Sequence, residues 1–308
     1  MPHLTKHDFA DLFGATADRL PDKCLRMIAE GDWSYEPLKG RERDRVIIDL
    51  LQRIEERKLT TVSNEDKSRW LAGWGENLKA FREQGGSVDA LVPKYIREGQ
   101  PVRLFGEFVQ TNNPQFELRW YEIFRRWFFE TSLSGFENIF EFGCGSGFNV
   151  AELAQLYPKA KVYGLDWAQP SVDIVNELRS RKGLNVEGRN FDFFHPDKSL
   201  DIPPGSAVFT IGALEQTGTN WGAFLEFLLA KKPQRVFHIE PVYEWYDEDN
   251  LVDYTAIKAH AVRNFWRGFP PRLRELESAG RLRILHTKRA YFGSLVLEGY
   301  SQIIWAPQ

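Results

Sequence analysis

Glu141-Phe142-Gly143-Cys144-Gly145-Ser146-Gly147-Phe148-Asn149 decides the reading of this chain. The run before it, Asn138-Ile139-Phe140-Glu141-Phe142, has the length and aromatic content of a buried strand. After it, Val150, Ala151, Leu153, Ala154 and Leu156 keep helical spacing up to Pro158. The glycines therefore occupy a strand-to-helix bend. Gly143 permits a backbone angle that other residues avoid, and Gly145 and Gly147 let a ligand and the next helix approach the main chain. The amides of the helix start are expected to face an anionic group.

A glycine-rich bend alone also suits a plain tight turn, so its surroundings matter. A second strand, Lys161-Val162-Tyr163-Gly164-Leu165-Asp166, ends in an acid 23 positions after Gly143. That is close to the spacing of about 20 expected of a carboxylate holding ribose hydroxyls. The pair points to an adenosine ligand. Phe148 stands where the dinucleotide fingerprint wants glycine or alanine, so a nicotinamide cofactor fits less well.

On these residues the chain resembles the S-adenosylmethionine-dependent methyltransferases of the doubly wound α/β type. The resemblance spans about residues 116–308. It is carried by the turn Glu141 to Gly147, by Gly164-Leu165-Asp166-Trp167, by Asn190-Phe191-Asp192-Phe193, and by Ala207-Val208-Phe209-Thr210-Ile211 running into Gly212-Ala213-Leu214-Glu215-Gln216. It implies that the turn holds the methionine part of S-adenosylmethionine, Asp166 the ribose, and Asp192 with Phe193 the adenine. Trp167 is a candidate to pack on the base. The cofactor set expected is thus Glu141, Gly143, Cys144, Gly145, Gly147, Asn149, Asp166, Trp167, Asp192, Phe193 and Leu214.

Strands and helices alternate from 138 onward, which argues for a parallel sheet covered on both faces. Helices are expected at 170–181 and 221–231, and further strands within 184–192, at 206–211 and at 235–240. Pro270-Pro271 splits the long segment 241–279 into two helices. Runs 282–291 and 295–305, joined by Phe292-Gly293-Ser294, suit a hairpin. The expected fold is α/β: a doubly wound, mostly parallel seven-stranded sheet with a terminal antiparallel hairpin, preceded by a helical N-terminal region. The boundary falls near Thr111-Asn112-Asn113-Pro114, giving a helical region over 1–115 and a methyltransferase domain over 116–308.

Within the first region, Val46, Ile47, Leu50, Leu51 and Ile54 form one helical stripe. Asn64, with Glu65 and Asp66 in the first turn, caps a second helix carrying Trp70, Leu71, Trp74, Leu78 and Phe81. Both stripes read as packing. Residues 102–109 suit a short strand or an extended connector. The next helix puts Phe116, Trp120, Phe124, Trp127 and Phe128 on one face, as for a helix lying on a sheet. Its interleaved arginines also fit single-stranded nucleic acid, the weaker reading.

The 308 residues are 43% hydrophobic and 27% charged, enough for one large domain or two small ones. A net charge of −3 gives no general pull toward nucleic acid or an anionic membrane, so neither is expected as a partner. Only Cys24 and Cys144 occur, so a disulfide framework is not expected and a reducing compartment is. The start lacks the apolar core of a secretory signal and no run reaches membrane-spanning length. The reading is cytoplasmic.

Methyl transfer from a sulfonium requires alignment and, for a hydroxyl acceptor, removal of a proton. The candidates for that work near the strand ends are His238, Glu240, His260, Glu215 and Tyr243. Histidine matches neutral pH best. The loop 241–250 joins three aromatics to four acids and suits a sugar, although a solvated loop anchored by its rings explains it as well. Asp247, Asp249 and Asp253 have no calcium-loop spacing, so no metal is assigned. The resemblance associates base and amide methylation with an Asn/Asp-Pro-Pro-aromatic motif, and Ala213-Leu214-Glu215-Gln216 stands in its place. The expected reaction moves a methyl group to a hydroxyl of a small molecule, with a carbohydrate ahead of a phenol. A small-amine N-methyltransferase and a non-catalytic cofactor-binding module are the alternatives.

Overall fold

A computed structural model describes residues 1–56, 59 and 68–308. Seven strands make the main sheet: β1 Asn138–Phe142, β2 Lys161–Asp166, β3 Val186–Asn190, β4 Ala207–Ile211, β5 Arg235–Glu240, β6 Leu282–Lys288 and β7 Ser301–Pro307. Their order is β3-β2-β1-β4-β5-β7-β6. The first five are parallel, and β7 enters antiparallel between β5 and β6. Strand order reverses between β1 and β4, so a crevice opens beyond their carboxyl ends.

Period-two alternation sorts the sheet into two buried faces. Ile139, Ala207, Phe209, Phe237 and Ile239 belong to one, and Phe140, Phe142, Val208 and Val236 to the other. The helix Phe116–Ser132 covers the first, with Phe128 edge-on to Phe209 and Phe237. The helices Gly222–Lys231 and Phe269–Ser278 cover the second through Phe224, Leu228, Leu273 and Leu276.

The 116–132 helix is buried on more than the expected face: Tyr121, Ile123 and Phe129 are also inside. The reason is a second layer. Helices Lys6–Phe13 and Asp22–Glu30 pack on the side of Trp120, Phe124 and Trp127, with Phe13 stacked on Trp127 at 5.0 Å and edge-on to Trp120 at 5.4 Å, while Phe128 and Phe129 meet the sheet. One apolar cluster thus runs from Leu4 to the sheet. Each large side chain in it contributes roughly 1.5–3 kcal/mol by burial. The stripe Ile47, Leu50 and Ile54 of helix Gly40–Glu55 packs instead on Val252, Ala256 and Ala259 of helix Leu251–Arg263. The cap expected at Asn64, with Glu65 and Asp66, lies outside the described residues; the helix after it is described over Ser68–Glu83.

Two expectations need correction. Residues 102–109 are neither one strand nor a connector, because Val102–Leu104 and Glu107–Thr111 fold back on each other through Phe105 and Gly106. Both turn residues have positive φ, 51° and 79°, the pairing a two-residue hairpin turn requires. A phenylalanine in that conformation gives no turn signal in the sequence.

At the chain end β6 and β7 pair antiparallel as expected, but Phe292-Gly293 is not a plain joint between them. Phe292-Gly293 leaves the main sheet and pairs with Leu104 and Arg103, completing a four-stranded antiparallel sheet that also contains Tyr35–Pro37. Stacking of Phe292 on Trp120 at 4.0 Å holds it there. Arg289 pins the excursion by pairing with Asp253 at 2.7 Å and Glu298 at 2.8 Å. Arg103, fully buried, reaches the carbonyls of Leu295 and Val252 and the hydroxyl of Thr255.

Candidate functional site

The glycine turn lies at the reversal of strand order and is tied to β2. The amides of Gly143 and Cys144 donate to the Leu165 carbonyl at 2.7 and 3.0 Å. Gly145 N–H donates to Asp166 Oδ2 at 2.9 Å, while Ala168 N–H donates to Oδ1 at 2.9 Å. These three turn amides are thus engaged by the protein itself, ahead of the helix that starts at Phe148. Asp166 is 5% exposed and lines the groove at the end of β2. A Cβ on Gly143 would stand 2.3 Å from the Cβ of Ala213, so only glycine lets β1 and the end of β4 approach this closely.

A groove runs over the turn as two small chambers of about 80 and 40 Å³. Asp166, Trp167, Asp192, Phe193 and Ala213 line the first, and Glu141, Cys144, Gly145, Ser146 and Asn149 the second; Gly143, Gly212 and Gln216 belong to both. Nine of the eleven expected cofactor residues therefore meet in one groove. Two do not. Gly147 faces Ile174, Val175 and Leu178, where it lets the helix Gln169–Lys182 pack against the turn. Leu214 is fully buried and gives its amide to Glu240.

The groove's roof comes from outside the expected set. Trp70 and Trp74, stacked at 5.6 Å, line both chambers, and Trp74 stands over Gly145. Tyr95 and Tyr121 close the second chamber. Trp70 and Trp74 read as packing because helical spacing alone does not tell a groove from a core. Their size at positions that need only a packing side chain was the available signal.

Glu141 is the most telling group in the groove. Its Oε1 accepts from Asn149 Nδ2 at 2.8 Å, and Asn149 Oδ1 in turn accepts from the Tyr121 hydroxyl at 2.8 Å. Oε2 is buried with no hydrogen-bond partner among the described residues. Burial raises the Glu141 pKa to about 8. A buried acceptor without a donor is costly unless a ligand supplies one. The α-ammonium of S-adenosylmethionine is such a donor, and the groove's acid at one end and aromatic walls at the other fit the two halves of that molecule. The residues present thus fit the cofactor.

A third cavity, of about 160 Å³, adjoins the groove and shares Trp70, Tyr95, Tyr121, Ile211, Gly212 and Gln216 with it. Glu215 lines it, as do Glu117, Arg263, Phe265 and Tyr300. Glu215 Oε2 has no partner among the described residues. Burial, followed by the Glu240 carboxyl next to it, pushes the Glu215 pKa well above the carboxylate range. Burial raises Glu117 to about 7, against the opposing hydrogen bond from Gln100.

Of the five proton-handling candidates, only Glu215 lines this cavity. Glu240 is fully buried and accepts from the amides of Ala213, Leu214 and Glu215 at 3.0–3.3 Å, so it orders the end of β4. His238 accepts or donates at Nδ1 with Thr210 Oγ1 and is enclosed by Trp266, Phe269 and Trp305 on the opposite face of the sheet. Burial lowers its pKa to about 3. Strand alternation points it away from the crevice. His260 is fully buried against Tyr243, Tyr246 and Phe265, and burial with nearby arginines lowers it to about 3. Tyr243 sits at the edge of that cluster. Among the described residues no three His, Cys, Asp or Glu side chains converge on a metal position, and no helix is long and apolar enough to cross a membrane.

The family described as "Methyltransferase domain" matches residues 139–237. No curated protein matches the chain. Among solved structures, human N-acetylserotonin methyltransferase in complex with SAM is 16% identical over 87% of this chain and 68% of that one, with a TM-score of 0.44. A SAM-dependent methyltransferase from Aquifex aeolicus is 20% identical over 56% and 81%, with a TM-score of 0.34. Geranyl diphosphate methyltransferase in complex with GPP and sinefungin is 13% identical over 63% and 83%, with a TM-score of 0.45. Overlaps this loose add nothing to the argument, which rests on the family match and on the groove. Residues 139–237 match the methyltransferase-domain family, and the groove at their strand ends fits S-adenosylmethionine as a methyl donor.

Proposed function

We propose that the protein transfers a methyl group to a hydroxyl of a small molecule held in the 160 Å³ cavity, with Glu215 taking the hydroxyl proton. The observation that carries this reading is the unpartnered Glu215 Oε2 in a cavity that shares its wall with the cofactor groove. The cofactor supplies an activated methyl when bound. The protein's share is to exclude water and orient the acceptor, tasks suited to Trp70, Tyr121, Phe265 and Tyr300. A base works best with a pKa near the operating pH, and the raised pKa of Glu215 moves it that way. Residues 1–115 serve as cover, since Trp70, Trp74 and Tyr95 come from them.

The sugar reading loses its support in the loop. Tyr246 OH accepts from the Glu298 amide, Asp247 N–H donates to Asp253, and Glu244 caps Gly268. These groups serve the protein itself, and of the loop only Pro241 lines the cavity. The proposal is tested by supplying methyl-tritiated S-adenosylmethionine with panels of phenols, other alcohols and amines. Transfer confined to amines, unaffected by Glu215→Gln, contradicts it.

A further inference from the structure

Outside the helix Ser68–Glu83 lies a further cavity of about 460 Å³, which shares Arg69, Trp70, Tyr95, Arg263 and Ser294 with the acceptor cavity. Its charged wall is one-sided. Arg53, Arg69, Lys94, Arg97 and Arg263 line it, Glu76 is the one acid there among the described residues, and Lys94 already holds that acid at 2.7 Å. The four arginines make no ion pair among the described residues, and Arg263 Nε is buried without a hydrogen-bond partner.

Stacking orients two of the guanidinium groups: Arg69 lies over Trp70 at 5.5 Å and Arg263 over Phe265 at 4.6 Å. A stacked guanidinium keeps its in-plane donors for a carboxylate or phosphate. Burial and repulsion from Arg69 and Arg53 lower the proton affinity of Arg263, opposed by Glu215. Glu117 and Glu215 are the acids nearest on the inner side, and neither pairs with these arginines among the described residues. Clustered cations at a half-enclosed cavity are costly without an anion and focus a positive potential on its mouth.

We propose that the methyl acceptor carries an anionic group, a carboxylate or a phosphate, which Arg53, Arg69, Arg97 and Arg263 hold in the outer cavity while the atom to be methylated lies in the inner one. This rests on the inner cavity being the acceptor's.

The test uses benzoate, phenyl phosphate and neutral benzamide as probes, titrated calorimetrically into the whole protein with and without saturating S-adenosylhomocysteine. At least one anion binds roughly tenfold or more tighter than benzamide and weakens as salt is added. The tighter anion identifies the source. Arg69→Gln combined with Arg263→Gln lowers anion affinity by roughly 10- to 100-fold, well beyond any change in benzamide affinity, and leaves S-adenosylhomocysteine affinity unchanged. Arg97→Gln, at an exposed position, gives a smaller loss in the same direction without disturbing the core. Equal binding of all three probes, no binding by either anion, or anion binding by the variants at parental strength overturns the proposal. A parent that takes no S-adenosylhomocysteine overturns the methyltransferase reading instead, and the anion preference of the protein alone is still decided by the same comparison.

Discussion

The floor of the cofactor groove and the acceptor cavity are assembled in opposite ways, while the groove's roof, like the cavity, comes from distant segments. The floor is built from consecutive strand ends: Glu141 to Asn149 after β1, Asp166-Trp167 after β2, Asp192-Phe193 beyond β3. The cavity draws on Trp70, Tyr95, Glu117, Glu215, Arg263 and Tyr300, which lie on segments far apart in the chain. A site made by one local device repeated along a sheet leaves its spacing in the sequence. A site made by the meeting of distant segments leaves only residue types.

The largest effect expected on this comparison is at Glu215. Glu215→Gln is expected to lower single-turnover methylation of a hydroxyl by about 10²- to 10⁴-fold while leaving S-adenosylhomocysteine affinity nearly unchanged. In the parent, activity rises with pH as Glu215 loses its proton, at a pH above the ordinary carboxylate range. That limb disappears in the variant. A parental rate for Glu215→Gln would leave the cavity without its base.

On the groove side, Asp166→Ala is expected to weaken S-adenosylhomocysteine binding by about 1–3 kcal/mol, the scale of hydrogen bonds to a charged group. Part of that loss comes through the turn, because Gly145 N–H also loses its acceptor. Unchanged affinity in a folded variant would remove Asp166 from the cofactor's contacts.

A finer test concerns Glu141, whose pKa stands at about 8. At pH 7 the free protein holds a proton there, and a ligand ammonium at Oε2 favours the ionised form. Binding of S-adenosylhomocysteine should release up to one proton at pH 7 and almost none at pH 9, read by calorimetry in buffers of different ionisation enthalpy. Glu141→Gln should abolish the release. The same group makes folding less favourable as pH rises from 4.5 to about 8, since the unfolded chain gives up this proton first. Equal proton release in parent and variant would place the ammonium elsewhere.

The histidines mark how far the sequence could be read. It yielded β1, β2 and β5 with their observed bounds, and nine of the eleven residues expected to hold the cofactor line the groove, because glycines, a strand-end acid and period-two runs are local signals. His238 was a reasonable candidate by residue type and by its place near a strand end. Which face of the sheet a strand residue takes depends on what packs on it, and Trp266, Phe269 and Trp305 enclose His238 on the wrong one. Trp70 and Trp74 read as packing for the converse reason, since their groove exists only once the helix lies on the turn. The Phe292-Gly293 strand was hidden because its partners, Leu104 and Arg103, lie far off in the chain. The smallest effect predicted is accordingly at His238: His238→Gln should leave single-turnover methylation within about twofold of the parent, because the side chain lies outside the cavity. A loss comparable to that of Glu215→Gln would reverse the assignment.

The central claim is that the turn over residues 143–147 and Asp166 form a site for S-adenosylmethionine in preference to a dinucleotide. Calorimetric titration of the parent protein with S-adenosylhomocysteine and, separately, with NAD tests it most directly. The account predicts saturable one-site binding of S-adenosylhomocysteine and no binding heat with NAD; saturable NAD binding with no heat from S-adenosylhomocysteine would contradict it.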